Sequence, residues 1–284
     1  MPAPDRMLNL VRRAIDAVAA TPGRSGKVVR LPANCTDVVV GGDMHGHVPN
    51  FQALLNVADL AAHPARHLVL QELIHGKFAY PTGGEKSHQL VDLFCALKAQ
   101  FPDRVHYLPG NHELAQLSNR PIGKGNDSYN AEFRLGVTSA YGSGSGQEIY
   151  RAYLDLFAVL PLAIYAPNRI LMTHSLPASR DMPTFDPRRL LAAKFSDRDL
   201  EPGGSVYALV WGRDVGEANA AEFLTKMDAD AVITGHIPLD DGFLAPHSRH
   251  LIVDCSTSPA ACVRFPADRP VSHDDLLAGV VVLS

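Results

Sequence analysis

The sequence predicts an α/β protein whose parallel or mixed β-sheet is covered by helices. Short apolar runs of strand length alternate along the chain with stretches in which apolar residues recur at helical spacing, and this alternation is typical of α/β folds. With 284 residues, 46% of them apolar and 20% charged, the composition is that of a soluble globular protein. No linker interrupts the pattern, so we expect one domain over residues 1–284.

The pattern of apolar residues in the first half of the chain predicts three helices, each followed by a strand. An N-terminal helix and its lead-in occupy residues 1–35, with Asp5 expected to cap the helix and its inner face formed by Met7, Val11, Ile15 and Val18. We then expect a strand over 36–42, a helix from about Pro49, a strand over 67–70, a helix after Ser87 and a strand over 105–108. The inner side of the helix after Ser87 is predicted to carry Leu90, Leu93, Phe94 and Leu97.

The second half is less regular. Residues 119–147 are polar and rich in glycine, which predicts a flexible loop with a short helix near 131–135. Because this segment follows GNHE directly, we expect it to help shape a substrate groove. A helix is expected over 148–160, and apolar runs indicate strands within 164–173, 231–234, 251–253 and 280–283.

Charge and composition exclude several classes of partner. The formal charge of -4 has both signs well mixed, so no basic face for nucleic acid is expected. The sequence has no run of 18 or more apolar residues, so we expect no membrane span. The N-terminus has a helical rather than a signal-peptide pattern, and the four cysteines form no CxxC pair. These features predict a cytoplasmic protein with buried free thiols.

Four predicted strand ends carry residues that can bind metal ions. They are Gly42-Asp43-Met44-His45, Gly110-Asn111-His112-Glu113, Thr173-His174 and Gly235-His236. In an open α/β sheet the loops at the carboxyl ends of the strands line one crevice, so these residues are expected to converge there. Carboxylate, amide and imidazole donors together suit divalent ions such as Mn, Fe or Zn.

A further strand end, "LVLQELIHGKF" over residues 68–78, has several interpretations. Its apolar run leads to Glu72 and His75, an acid and a histidine three residues apart. The stretch by itself is compatible with a metal-binding strand end, with a damaged copy of one, and with an ordinary strand whose charged end is solvated.

The motifs GDMHGH, GNHE, THS and TGH occur in the order found in calcineurin-like metallophosphoesterases, and the chain resembles their phosphoprotein-phosphatase branch. The segments "LDLFAVLPLAIYAPNRILMTHS", "ALVWGRD" and "FLTKMDADAVITGHIPLDDGF" extend the resemblance over roughly residues 36–265. The resemblance implies a two-sheet β-sandwich flanked by helices, with a dinuclear metal centre at one edge.

The resemblance also implies roles for individual residues. Asp43 and His45 would bind the first of two divalent ions (Mn, Fe or Zn), and Asn111, His174 and His236 the second. Asp43 would be shared by the two ions or lie near both. His112 would protonate the leaving alcohol, while a metal-bound hydroxide attacks the phosphorus directly.

The second family motif, GDxxDRG, is altered here. Gln71 stands for the glycine, Glu72 for the metal-bridging aspartate, His75 for the aspartate that orients the catalytic histidine, and Gly76-Lys77 for Arg-Gly. We expect Glu72 to bridge the two ions and the strand over 68–70 to lie beside the strand that ends at Asp43. Arg213 is the better candidate for the missing phosphate contact, and Lys77 is the other.

Together these features predict a phosphomonoesterase related to serine/threonine protein phosphatases, acting on a phosphoprotein or a small phosphoester. Many phosphodiesterase members end in GHxH, whereas this chain has Gly235-His236-Ile237-Pro238, which favours monoesters. Two alternatives remain open: a nucleotide hydrolase of the dinucleoside polyphosphate type, and a non-catalytic protein on a metal-binding phosphatase scaffold.

Overall fold

Two β-sheets face each other and helices cover their outer sides in the computed structural model, which describes residues 3–124 and 127–283. The helices are α1 Pro4–Ala19, α2 Val48–Ala58, α3 His88–Gln100, α4 Asn111–Ser118, α5 Tyr129–Tyr141, α6 Ser143–Val159, α7 Asp197–Leu200, α8 Ser205–Trp211, α9 Glu217–Met227 and α10 His273–Ala278, with a 3-10 helix over Pro187–Leu191. The strands are β1 Arg24–Ser25, β2 Val28–Arg30, β3 Asp37–Asp43, β4 Arg66–Gln71, β5 Val105–Leu108, β6 Gly123–Lys124, β7 Asp127–Ser128, β8 Ala163–Tyr165, β9 Ile170–Met172, β10 Ala231–Thr234, β11 Phe243–His247, β12 His250–Val253, β13 Ala260–Pro266 and β14 Val280–Leu283.

The strand order confirms the predicted mixed α/β architecture with two sheets. One of the two large sheets has seven strands in the order β1-β2-β8-β9-β10-β12-β11, the second has five in the order β14-β13-β3-β4-β5, and β6 and β7 form a separate two-stranded sheet. Within the first, β9, β10 and β12 are parallel; within the second, β3, β4 and β5 are parallel. The expected pairing of the strand through Leu68 with the strand ending at Asp43 is therefore confirmed.

The two sheets touch at one edge. A parallel bridge joins Asp43, at the end of β3, to Asp254, just after β12. Between the sheets lies an apolar layer to which both contribute, including Val38, Val69 and Ile233. Because the bridge is parallel, the carboxyl ends of the parallel strands in both sheets meet at the same edge.

The N-terminal helix is present, but its start differs from the prediction. Met7, Val11 and Val18 are buried as expected, whereas Ile15 is only partly buried and Ala14 takes its place in the core. The residue at the N-cap is Ala3, with no side-chain hydrogen bond, and Asp5 lies in the first turn. Pro4 can begin the helix because the first helical N–H needs no partner, so Asp5 acts only through its charge near the helix N-terminus.

The prediction of a flexible loop over 119–147 was wrong for most of that range. Residues 129–141 form α5, whose Phe133, Val137 and Tyr141 are buried at helical spacing. Gly142, at φ 82, separates α5 from α6, which begins at Ser143. A Cβ at Gly146 would approach the Cα of Thr138 to 2.8 Å, so the glycines let the two helices pack closely rather than loosen the chain.

Smaller differences concern single elements. Leu93 is 39% exposed rather than on the inner side of α3. The apolar run over 164–173 holds two antiparallel strands, β8 and β9, and β13 was not predicted. All four cysteines are free and buried, as expected. Over the part of the chain that is described, no helix combines the length and apolar character needed to cross a bilayer.

Candidate metal centre

The predicted metal ligands lie at the carboxyl ends of five parallel strands. Asp43 ends β3, Glu72 follows β4, Asn111 begins α4 three residues after β5, His174 follows β9, and His236 follows β10. The first three come from one sheet and the last two from the other. The crevice at this edge is thus built from both sheets, as expected for strand ends in α/β proteins.

The backbone at this edge is held in unusual conformations. Four of the eight non-glycine residues with positive φ among the described residues are His45 (42°), Glu72 (31°), His75 (66°) and His236 (69°). Such conformations cost an L-residue roughly 1–2 kcal/mol each. Their concentration around the proposed ligands indicates that the fold stabilises this geometry for the position of the side chains.

His174 is the centre of one group of donor atoms. Its Nε2 lies 3.1 Å from His236 Nδ1, 3.3 Å from Asn111 Oδ1 and 3.7 Å from Glu72 Oε1. Ligand atoms around a tetrahedral ion with bonds of about 2.0–2.1 Å stand about 3.3 Å apart. The distances from His174 Nε2 to the other three donor atoms are therefore close to those between ligands of one ion.

The other oxygen of Glu72 faces a second group. Glu72 Oε2 lies 3.3 Å from His45 Nε2. His45 Nδ1 lies 2.8 Å from the carbonyl oxygen of Ile74, which can only accept, so Nδ1 is the donor of this hydrogen bond. That bond leaves Nε2 as the free ligand atom, which is the arrangement usual for metal-binding histidines. His112 approaches this group, with ring centroids 4.9 Å from His45, and its backbone N–H donates to Glu72 Oε1 at 2.9 Å.

Asp43 completes the centre. Its Oδ2 accepts a hydrogen bond of 2.9 Å from the backbone N–H of His236, whereas its buried Oδ1 accepts no hydrogen bond among the described residues and lies 3.5 Å from His174 Nδ1. Asp43, Glu72 and His174 form one cluster of potential ligand atoms, and His45, Glu72 and His112 form another. Asp43 thus lies closer to the His174 side than the sequence suggested, and Glu72 is common to both clusters.

The electrostatics of the site suit a cation. The pKa of Asp43 is raised mainly by burial and next by the negative charge of Glu72. The pKa of Glu72 is raised mainly by burial and next by the negative charge of Glu113. Burial also lowers the pKa of His174, and it lowers the pKa of His236 to about 3. Two adjacent buried carboxylates are costly without a counter-charge, which a divalent cation would supply, and the neutral imidazole favoured by the lowered histidine pKa values is the form that binds a metal.

Two glycines allow this crowding. A Cβ at Gly110 would clash with Glu72 Oε1, and a Cβ at Gly235 would clash with Asp43 Oδ1. Both glycines stand directly before a proposed ligand, Asn111 and His236 respectively. Their lack of a side chain brings the strand ends close enough to surround the same ions.

His75 is in contact with His112, as the altered motif allowed. Their ring centroids are 5.1 Å apart, and His75 Nε2 and His112 Nδ1 are buried without partners among the described residues. His75 Nδ1 lies 3.0 Å from Glu85 Oε1, which also accepts hydrogen bonds from Ser87 Oγ at 2.7 Å and from the backbone N–H of His75 at 3.2 Å. Sequence reasoning missed Glu85, because it lies ten residues after His75 in an irregular segment with no motif.

Glu113, the last residue of GNHE, fixes the backbone of two motifs. Its Oε1 accepts hydrogen bonds from the backbone N–H groups of Leu73 and Ile74 at 3.0 and 3.2 Å and from the hydroxyl of Tyr107, while Oε2 accepts from Gly110 N–H at 2.8 Å. It is fully buried. Glu113 therefore holds the Glu72 and Asn111 loops in register with each other.

The two predicted phosphate-binding residues are exposed at the rim. Burial is the main cause of the lowered pKa values of His236 and His112. The nearby charge of Arg213 lowers both pKa values further. Lys77 lines a cavity of about 540 Å³ together with His75, Gly76 and Tyr129, and its Nζ stands 5.5 Å from the ring centroid of Phe78. Both cations are thus on the approach to the centre, with Arg213 electrostatically coupled to the proposed ligands.

Comparison with known proteins gives the chain a family and a fold. The model of the calcineurin-like phosphoesterase family matches residues 36–240. A probable serine/threonine-protein phosphatase of Encephalitozoon cuniculi (strain GB-M1) is 26% identical over 232 residues, which are 76% of this chain and 46% of that relative, so the chain spans about half its length.

Solved structures show the same architecture at low identity. A serine/threonine phosphatase from Saccharomyces cerevisiae with similarity to human phosphatase PP5 has a TM-score of 0.67 and 17% identity, covering 93% of this chain and 82% of that one. A cold-active protein-tyrosine phosphatase of a psychrophilic Shewanella has a TM-score of 0.58 and 14% identity, covering 91% and 82%.

Proposed function

Because this chain belongs to the calcineurin-like phosphoesterase family, we propose that it is a metal-dependent phosphoester hydrolase acting on phosphomonoesters. One observation carries the proposal: Glu72 turns one oxygen toward His45, at 3.3 Å, and the other toward His174, at 3.7 Å. A carboxylate that faces two groups of ligand atoms is suited to bridge two cations. The longer side chain of glutamate thus supports the bridging position that the altered motif left open.

Asn111, His174, His236 and Glu72 would hold one ion and His45 and Glu72 the other, with Asp43, which clusters with Glu72 and His174, shared between them. Two such cations, when bound, supply charge stabilisation to a transferring phosphoryl group and lower the pKa of an attacking water. The polypeptide contributes a buried, fixed set of donors, so little reorganisation accompanies the reaction.

His112 is proposed to donate the proton to the leaving alcohol. Burial, followed by the neighbouring His45 and His75, lowers its pKa in the protein alone; a bound phosphate dianion would raise that pKa by favouring the charged imidazole. His75 is proposed to position it: Glu85 holds the Nδ1 proton of His75, so that Nε2 is left to accept from His112 Nδ1. The pair would replace the aspartate present in the family motif.

Arg213 and Lys77 are proposed to contact the phosphate or the group attached to it. Arg213 offers a planar fork for two phosphoryl oxygens, whereas Lys77 offers a point charge beside the cavity next to His75. A phosphoprotein is the proposed substrate, supported by the relative described as a probable serine/threonine-protein phosphatase.

The experiment is turnover by the purified, Mn²⁺-loaded protein against p-nitrophenyl phosphate, phosphoserine and phosphothreonine peptides, and dinucleoside polyphosphates. Hydrolysis of the monoesters above the nucleotides supports the proposal. A preference for the nucleotides would identify a nucleotide hydrolase instead. Tight metal binding without hydrolysis of any phosphoester would identify a non-catalytic scaffold.

A further inference from the structure

Gln71 is the last residue of β4 and stands directly before Glu72. Successive side chains of a strand face opposite sides: Leu68 and Leu70 pack beneath the helices, while Val69 packs between the sheets. Gln71 shares the face of Val69, and it is 0% exposed. The strand therefore buries a carboxamide at the end of the apolar layer between the sheets, at the edge that carries the site.

Both polar atoms of this carboxamide, Oε1 and Nε2, lack a hydrogen-bond partner among the described residues. Burial of an unsatisfied amide destabilises the folded state. Leucine or methionine would fill a similar volume without that cost. Packing alone therefore does not account for a glutamine at this position.

The carboxamide lies beside Asp43 Oδ1, which accepts no hydrogen bond among the described residues. Gln71 and Asp43 are partners in the parallel register of β4 and β3. A Cβ at Gly235 would stand 3.2 Å from Gln71 Oε1 and would clash with Asp43 Oδ1. The two side chains thus flank one point, where two buried oxygen atoms, Gln71 Oε1 and Asp43 Oδ1, both lack a hydrogen bond.

We infer that Gln71 belongs to the metal centre. Its Oε1 would serve the cation that Asp43 would hold, and its Nε2 would be available as a hydrogen-bond donor beside it. The inference rests on the proposed function, because it requires that the centre bind a metal. It adds a neutral polar residue of this chain to the set of charged and imidazole donors.

The test is Gln71→Leu, with Gln71→Met as a second variant of matched length. Each is compared with the wild type by calorimetric titration with Mn²⁺ alone and by thermal melting of the metal-free protein. We expect Mn²⁺ affinity to fall on the order of tenfold or more, as for loss of a group that supports a metal ligand. The metal-free variants should melt at a higher temperature than wild type, because the unsatisfied amide is gone.

Gln116→Leu is the matched control. Gln116 is also buried, but its Nε2 donates to the hydroxyl of Tyr150 at 2.7 Å and to the carbonyl of Asn130 at 3.3 Å. Its replacement should lower the melting temperature and leave Mn²⁺ affinity unchanged. Wild-type affinity in both Gln71 variants would overturn the inference and leave the proposed function in place, whereas a wild type that binds no Mn²⁺ would overturn both.

Discussion

At the scale of single residues, the exchange of aspartate for glutamate at position 72 changes what surrounds the site. Glu72 is one methylene longer than the aspartate of the family motif, and the ring centroids of His75 and His112 lie 5.1 Å apart. His75 in turn meets Glu85 at 3.0 Å. One changed side chain is thus accompanied by a pair of residues that the usual motif does not contain.

Glu72→Gln should remove at least one of two bound ions, because a neutral amide cannot offset the repulsion between two nearby dications. Metal content by plasma mass spectrometry, after purification from Mn-supplemented medium, measures the effect. Glu132→Gln is the control: Glu132 accepts a hydrogen bond from Gly84 N–H at 3.1 Å and lines the adjacent cavity, outside both ligand clusters. Equal metal content in the Glu72 variant and wild type would refute a bridging role.

His112→Asn should lower turnover of an alkyl phosphate on the order of a hundredfold or more while leaving the metal content near that of wild type, since a general acid contributes about that factor. Steady-state rates on an alkyl and an aryl phosphate provide the measurement. The loss should be smaller with the aryl ester, whose leaving group needs less help from a proton. Full activity on the alkyl ester would show that His112 is not the acid.

His75→Phe should lower kcat for the alkyl ester on the order of tenfold or more with little change in KM, because the proposed acceptor for His112 Nδ1 is lost. The double variant His75→Asp/Glu85→Gln restores an acceptor while avoiding two adjacent carboxylates. Recovery of kcat in the double variant would separate positioning from packing. If the double variant stays as slow as His75→Phe, the positioning role is wrong.

At the scale of elements, buried histidines tie neighbouring strands together in the neutral state. His67 Nδ1 of β4 lies 3.0 Å from His106 Nε2 of β5, and His250 Nε2 of β12 lies 2.9 Å from Thr234 Oγ1 of β10. Burial lowers the pKa of His67 to about 4 and that of His250 to about 3. These strands therefore carry a dependence on pH that is separate from the metal centre.

The sign follows from proton binding. Between the folded and unfolded pKa values the unfolded chain holds more protons, so stability contributed by neutral His250 is full above about pH 6.5 and is lost as the pH falls below it. The His250→Gln variant should therefore lose less stability than wild type between pH 6.5 and pH 4, by on the order of 3 kcal/mol. Urea denaturation across this range measures it, and parallel pH profiles would contradict the assignment.

At the scale of the whole molecule, the junction between the sheets depends on close backbone contact. A Cβ at Gly42 would clash with the backbone carbonyl of Val253, next to the bridge between Asp43 and Asp254. Backbone atoms on both sides leave no flexible side chain to move aside. The approach of the two sheets at this edge, and with it the position of ligands from both, requires glycine here.

Gly42→Ala should accordingly destabilise the protein by about 1–3 kcal/mol, as overpacking in a filled interior does. Gly144→Ala is the matched control, because a Cβ there meets nothing within 4 Å and the residue lies in α6; it should be neutral or stabilising by up to about 1 kcal/mol. Chemical denaturation midpoints compare the two. If the Gly42 variant is as stable as the Gly144 variant, the backbone at the junction moves apart at little cost and glycine is not required there.

Patterns of apolar residues within short segments correctly predicted most strands, because burial of a strand depends on its own residues. The strand over 105–108 and the strand over 231–234 lie where apolar runs placed them, and the predicted ligand positions converge because parallel strands bring their carboxyl ends to one edge. Glu85 and Gln71 take their significance from residues distant in sequence, so no spacing identifies them. Over 119–147 the abundance of glycine predicts a loop, although Phe133, Val137 and Tyr141 have helical spacing.

The proposed ligands divide between the sheets: Asp43, Glu72 and Asn111 follow strands of one, and His174 and His236 follow strands of the other. Ions held by residues of both sheets would stabilise the contact between them, and a ligand bound only by the folded chain raises the free energy of unfolding with the logarithm of its free concentration. Removal of the ions should therefore open this edge first, as faster hydrogen exchange at the ends of β3 and β10. Proteases act on opened chains, so a cell short of the metal would hold fewer copies of the protein.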